Sequence, residues 1–125
     1  MVLSEPSEKI SERIWNSGHA HIAWDWLRVE AESACVRRKA RHLDWSNYRK
    51  LISEFTFVSL NPEEHEHLLM FNRSLGLRSA DAGHLFLASL FFRDHLDSFL
   101  VTFDKEMIEA AQKLALPLHP LCLES

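Results

Sequence analysis

Leu77-Arg78-Ser79-Ala80-Asp81-Ala82-Gly83-His84-Leu85-Phe86-Leu87 opens an apolar helix with an acid in its first turn. Ser79 has the chemistry of an N-cap, Asp81 falls where the helix dipole favours negative charge, and Leu85, Phe86, Ser89 and Phe92 continue one face. Ala82 and Gly83 keep that turn slim. An acid standing alone at such a place is ordinary helix chemistry. Here a second acid follows. Phe99-Leu100-Val101-Thr102-Phe103 is a short run of strand formers that delivers Asp104 at its end and passes into another helix. In open parallel sheets ligands bind outside the carboxyl ends of the strands, so Asp104 is expected where chemistry is usually found. His84, one turn after Asp81, reads equally as a group that orients an acid and as a half-buried histidine satisfied by backbone.

The 125 residues, 46% of them apolar with three glycines, suit a single domain spanning 1–125 with one core. No apolar run is long enough to span a bilayer and no signal-peptide pattern opens the chain, so a cytoplasmic protein without a membrane partner is expected. Cys35 and Cys122 lack metal or disulfide spacing and read as reduced thiols. A net charge of −4 disfavours passive coating of nucleic acid. Acids that hold divalent cations escape this objection, because the ions supply positive charge at the site of attack.

The rest of the chain alternates helices with short strands, which predicts a parallel sheet covered by helices on both faces. A helix start at Ser4-Glu5-Pro6 leads to Ile10 and Ile14 and closes at Gly18. Ala20, Ile22 and Trp24 alternate like a strand, on which His19 and His21 share a solvated face rather than a metal site. Asp25 is expected to cap a helix to about residue 40 with Leu27, Ala31, Ala34 and Arg38 on one side; Glu30 flanks that side and Glu32 points nearly opposite. Arg37, Arg38, Lys39 and Arg41 form the one basic cluster, read first as charge complementing the helix C-terminus and also compatible with RNA backbone contact. Asp44 caps a helix with Trp45, Tyr48, Leu51, Ile52 and Phe55 at helical spacing, aromatics suited to a core or an interface. Residues 56–60 alternate like a strand, and Asn61-Pro62-Glu63-Glu64 starts a helix running to Gly76 with His65 and His67 on a solvated flank. Residues 105–115 form a last helix, expected to pack on the sheet through Met107, Ala110, Ala111 and Leu114. The segment 116–121, broken by Pro117 and Pro120, is an edge strand or tail.

Arg78-Ser-Ala-Asp-Ala-Gly-His-Leu85, then Val101-Thr-Phe-Asp-Lys105, then Glu109-Ala-Ala-Gln-Lys-Leu-Ala-Leu-Pro-Leu118 together resemble the C-terminal half of the PIN-domain ribonucleases, and most closely the VapC-type toxins of toxin–antitoxin pairs. Trp26-Leu-Arg-Val-Glu30-Ala-Glu-Ser-Ala-Cys-Val-Arg-Arg38 resembles the family helix that carries its second acid. Glu30 matches by its spacing to the arginine pair, with Trp24 where the family has a small hydroxyl residue. The resemblance implies a PIN-like α/β fold and a ribonuclease in which Glu30, Asp81 and Asp104 are catalytic metal ligands for Mg²⁺ or Mn²⁺, the hard ions that take oxygen ligands. It further implies an RNA substrate hydrolysed by metal-activated water, an antitoxin protein as partner, and a homodimer. The family's opening strand, central in its sheet and ending in an acid, has no counterpart before Ser4, so that strand is expected to be missing and the working protein to begin upstream of Met1. The alternative is a catalytically incomplete PIN-like module that binds a protein partner or RNA.

Overall fold

The computed structural model describes residues 20–123. The expected first helix, with Pro6, Ile10, Ile14 and Gly18, and also His19, lies outside these residues. Among the described residues the fold is mixed α/β, with five α-helices and a two-stranded parallel sheet. They gather into two compact units, residues 20–59 and residues 60–123.

The first unit is built on β1 (His21–Trp24) and β2 (Phe55–Val58), paired in parallel with His21 opposite Phe55 and Trp24 opposite Val58. Parallel neighbours need a long crossover, and here two helices supply it, α1 (Trp26–Arg37) and α2 (His42–Ser53). The period of two puts His21, Ala23, Phe55 and Phe57 on the half-buried face and leaves Ile22 and Thr56 exposed. Phe55 and Phe57 stack at 5.6 Å, and the Arg28 guanidinium of α1 sits 5.9 Å from the Phe57 ring centre, a cation–π contact that ties the crossover to the sheet. Both strands end on one hydrogen-bond pair: the Asp25 amide donates to the Val58 carbonyl at 2.9 Å, and the Ser59 hydroxyl donates to the Asp25 carboxylate at 2.5 Å. Asp25 stands at the N-cap position of α1 as its sequence predicts, but its carboxylate serves Ser59 and makes no cap bond. Asp44 does satisfy the start of α2, from the third helical position, by accepting the Arg41 amide at 3.0 Å.

α1 closes in a Schellman turn, with Lys39 N–H bonded to the Val36 carbonyl and Ala40 N–H to the Cys35 carbonyl. Lys39 therefore takes the left-handed conformation, φ 53°, where glycine is usual. The face of α1 holding Leu27, Glu30, Ala31 and Ala34 is half-buried and Glu32 is exposed, in the expected sense, but the helix stops at Arg37, and Arg38, expected on the same side, is its exposed C-cap. In α2 the half-buried residues are Trp45, Tyr48, Leu51 and Ile52, on the expected spacing, whereas Phe55, expected to continue that stripe, opens β2 after the helix stops at Ser53.

The second unit is helical. After a 3₁₀ turn (Pro62–Glu64) come α3 (His65–Arg73), α4 (Ser79–Asp94) and α5 (Lys105–Lys113), followed by a closing 3₁₀ turn (Pro120–Leu123). His65 and His67 are exposed as expected. The core gathers Leu77, Ala82, Leu85, Met107, Ala110 and Ala111, with Leu68, Phe71, Leu75, Leu100, Leu116 and Leu118 packed against it. α5 thus packs on helices, not on a sheet as its apolar stripe alone suggests. Met107, Ala110 and Ala111 are buried and Leu114 falls outside the core, 37% exposed. α3 stops at Arg73, and the chain turns through Gly76 at φ 63°. The turn is clamped by Asn72, whose side chain accepts the Leu77 amide and donates to the Leu77 carbonyl, both at 2.9 Å.

The run at 99–103 is not a full strand. It makes a single parallel bridge, Leu100 with Leu118. Pro117 has no N–H with which to extend the ladder one way. In the other direction the Leu121 amide donates to His119 Nδ1 at 3.2 Å and the Cys122 amide to the His119 carbonyl at 2.9 Å, so the groups that the next rung needs are already used. No disulfide joins Cys35 and Cys122. No helix among the described residues is long and apolar enough to cross a membrane.

Tyr48 reports on the packing of α2 against α1. Its hydroxyl donates to the Arg28 carbonyl at a long 3.5 Å, and its pKa is raised above the ordinary 10.0, first by burial and then by the charge of Glu32. The neutral phenol is the form the fold favours, so the contribution is complete below pH 10.0 and is lost as pH rises through the folded-state value. Because the chain has one tyrosine, its near-ultraviolet absorbance titration has a single source. The midpoint in the native protein is expected above 10.0, with Glu32→Gln moving it back toward that value.

Candidate functional site

The acids that the sequence singles out sit at three different kinds of structural position. Glu30 lies mid-helix in α1, on its half-buried face with Leu27, Ala31 and Ala34, and belongs to the first unit. Asp81 and Asp104 belong to the second unit.

Asp81 is in the first turn of α4, where unpaired backbone N–H groups favour a negative charge. The helix starts one residue earlier than a Ser79 cap requires: Arg78 is the N-cap, with extended ψ and no side-chain cap bond, and Ser79 is the first helical residue. Arg78 takes this place because Leu77, immediately before it, is buried and held by the Asn72 clamp, which sets where the chain can turn into the helix. The next residues, Ala82 and Gly83, are buried, followed a turn later by Leu85 and Phe86. Asp81 is half-buried at the edge of this core, and His84, one turn on, is half-buried as well.

Asp104 is not the end of a regular strand. It is the N-cap of α5, extended at φ −74° and ψ 123°, and its Oδ1 accepts the Met107 amide at 3.0 Å. Its own amide donates to the Thr102 hydroxyl at 3.2 Å, and that buried hydroxyl in turn donates weakly to the Met107 sulfur at 3.8 Å. Sequence reasoning saw the acid after a β-rich run and missed the cap, although Asp three residues before Met107 at a helix start is itself a capping signal. The Asp104 carboxylate is exposed, so it combines a structural bond at one oxygen with access to solvent.

Carboxylates are the donors that hard divalent ions prefer, and three of them would meet the chemistry of Mg²⁺ or Mn²⁺. Among the described residues, no group of three or more His, Cys, Asp and Glu side chains is gathered to hold a metal ion. α4 packs against α5, which brings the helices that begin near Asp81 and at Asp104 into one framework. Two concavities escaped the sequence. One is an open groove of about 500 Å³ lined by Glu64, His67, Met70, Phe71, Phe86, Leu90 and Arg93. The other, shallower and of about 340 Å³, is lined by Asp25, Trp26, Arg28, Val29 and Glu32. None of Glu30, Asp81 and Asp104 lines either one.

The capping role of Asp104 separates its structural from its chemical work. Asp104→Ala is expected to lower stability by about 1 kcal/mol in urea denaturation, and Asp104→Asn, which keeps an accepting oxygen, by less than about half of that. Equal losses for the two would deny the cap. Comparison with protein-family models, curated proteins and solved structures finds no match to this chain.

Proposed function

We propose that this chain is a PIN-like, metal-dependent endoribonuclease of the VapC toxin type, in which the resemblance assigns the role of metal-binding acid to Glu30, Asp81 and Asp104. The observation that carries the reading is the placement of Asp81, half-buried in the first turn of α4, and of Asp104, at the start of α5, on two helices that share one core. The sequence around both acids, Arg78 to Leu85 and Val101 to Lys105, is what resembles the family. A divalent ion, when bound, supplies the positive charge and activated water that phosphodiester hydrolysis needs, and a chain of net charge −4 has need of it to accept RNA. The residues themselves have definable tasks. Asp81 lies at the end of α4 where the helix dipole favours negative charge, the cap bond fixes the Asp104 carboxylate in direction, and His84 is within one helical turn to orient Asp81 or a water. An antitoxin protein and a second copy of the chain are the partners that belong to this reading. Exposed large apolar side chains, Leu69 at 56%, Met70 at 61% and Leu96 at 88%, support a protein partner.

Two observations favour the second reading, a PIN-like module without a complete metal site that acts by binding protein or RNA. Among the described residues no three-ligand group is assembled, and Oδ1 of Asp104 is engaged in its own helix cap.

The two readings separate on an RNA pool incubated with Mn²⁺. The ribonuclease reading expects cleavage by the wild-type chain and a loss of at least about a hundredfold in Asp81→Asn, in Asp104→Asn and in Glu30→Gln. A wild-type chain that leaves the pool intact, or variants that cleave at its rate, would refute it.

A further inference from the structure

The turn between α1 and α2 carries Arg37, Arg38, Lys39 and Arg41, all exposed. These are four of the fourteen lysines and arginines of a chain whose net charge is −4. Helix electrostatics explains only part of the cluster. Arg37 is in the last turn of α1 and Arg38 is its C-cap, where the negative end of the dipole favours a cation. Arg41 is the N-cap of α2, at a positive dipole end, where a cation is disfavoured. Lys39 fills the left-handed position of the Schellman turn at φ 53°, which costs an L-residue stability that glycine would not lose. Among the described residues none of the four cations is in an ion pair. Two of the four thus sit at positions that local structure opposes.

We propose that this turn is a contact for the sugar-phosphate backbone of single-stranded RNA, with Arg37, Arg38, Lys39 and Arg41 as its cations. The inference rests on the ribonuclease reading for its choice of polyanion. An RNA backbone fits the patch better than an anionic membrane does, because exposed acids, Glu32 on α1 and Asp44 on α2, flank the turn. A plane of anionic lipid would meet those acids together with the cations, whereas a single strand can follow the turn alone. The surrounding negative charge also narrows where a strand can approach, which makes a local basic turn decisive for the encounter.

The test measures binding of mixed-sequence single-stranded RNA to the full chain in EDTA, where metal-dependent cleavage cannot occur, as a function of salt. Each phosphate contact contributes about 0.7 to the slope of log affinity against log salt. Lys39→Gly is expected to raise the melting temperature by about 4 °C while reducing that slope by about 0.7, an opposition of signs that misfolding cannot produce. Arg37→Gln with Arg41→Gln is expected to reduce it by about 1.4. Ala115 occupies the equivalent left-handed position after α5, at φ 57°, with Leu116 N–H on the Ala111 carbonyl and Ala115 N–H on the Gln112 carbonyl. Ala115→Gly should therefore also raise the melting temperature but leave RNA binding unchanged. Unaltered affinity and slope in the charge variants would overturn the proposal, as would binding to phosphatidylserine vesicles in place of RNA. If the wild-type chain fails to cleave RNA with Mn²⁺ yet binds it through this turn, the ribonuclease reading falls and the contact stands. Cleavage that persists while the charge variants bind as wild type has the reverse meaning.

Discussion

The burial of Leu85 and Ala111 in one apolar cluster is the constraint on which the second unit depends. Both side chains are fully buried, in a cluster where Ala82 and Ala110 are buried too and leave little bulk between α4 and α5. Small residues let the helices approach, and the leucine fills the remaining space at the density of a protein interior. Leucine burial of this kind contributes about 2–3 kcal/mol. The function proposed for the chain hangs on the same seam. Asp81 precedes Ala82 directly, and Asp104 caps the helix that carries Ala110 and Ala111, so both carboxylates move with the core.

In the first unit the governing constraint is hydrogen bonding across the ends of a parallel pair. Among the described residues the sheet has two strands, and the pair is held by what covers and closes it. The Arg28–Phe57 contact covers one face, and the Asp25–Val58 and Asp25–Ser59 bonds close the carboxyl ends. Asp25 is diverted from capping because the hydroxyl of Ser59 reaches it first, a tertiary partner 34 residues away that no local pattern reveals.

Periodicity made the two strands, the stripes of α1 and α2, and the buried face of α5 legible in the sequence, because each depends on which side of one element is apolar. The parts that were not legible depend on competition for backbone groups. At 99–103 the composition favours a strand, yet the ladder ends after one bridge because Pro117 lacks a donor and His119 captures the amides of Leu121 and Cys122. The cap of α4 shifted from Ser79 to Arg78 because Asn72 grips Leu77. For the candidate site, the placement of Asp81 in a first turn and of Glu30 on a half-buried face was readable residue by residue. The bond between Asp104 and Met107 was not read, since the preceding apolar run masked a cap as a strand end.

The central claim is that these acids hold a divalent ion in the folded protein. An ion that binds only the native state must stabilise it, by about 2.7 kcal/mol at a hundredfold excess over its dissociation constant. The direct measurement is the melting temperature of the 125-residue chain across a Mn²⁺ titration, beside that of Asp81→Asn. The account predicts a saturable rise of several degrees in the wild type and none in the variant. A flat titration, or an equal rise in both, would contradict it.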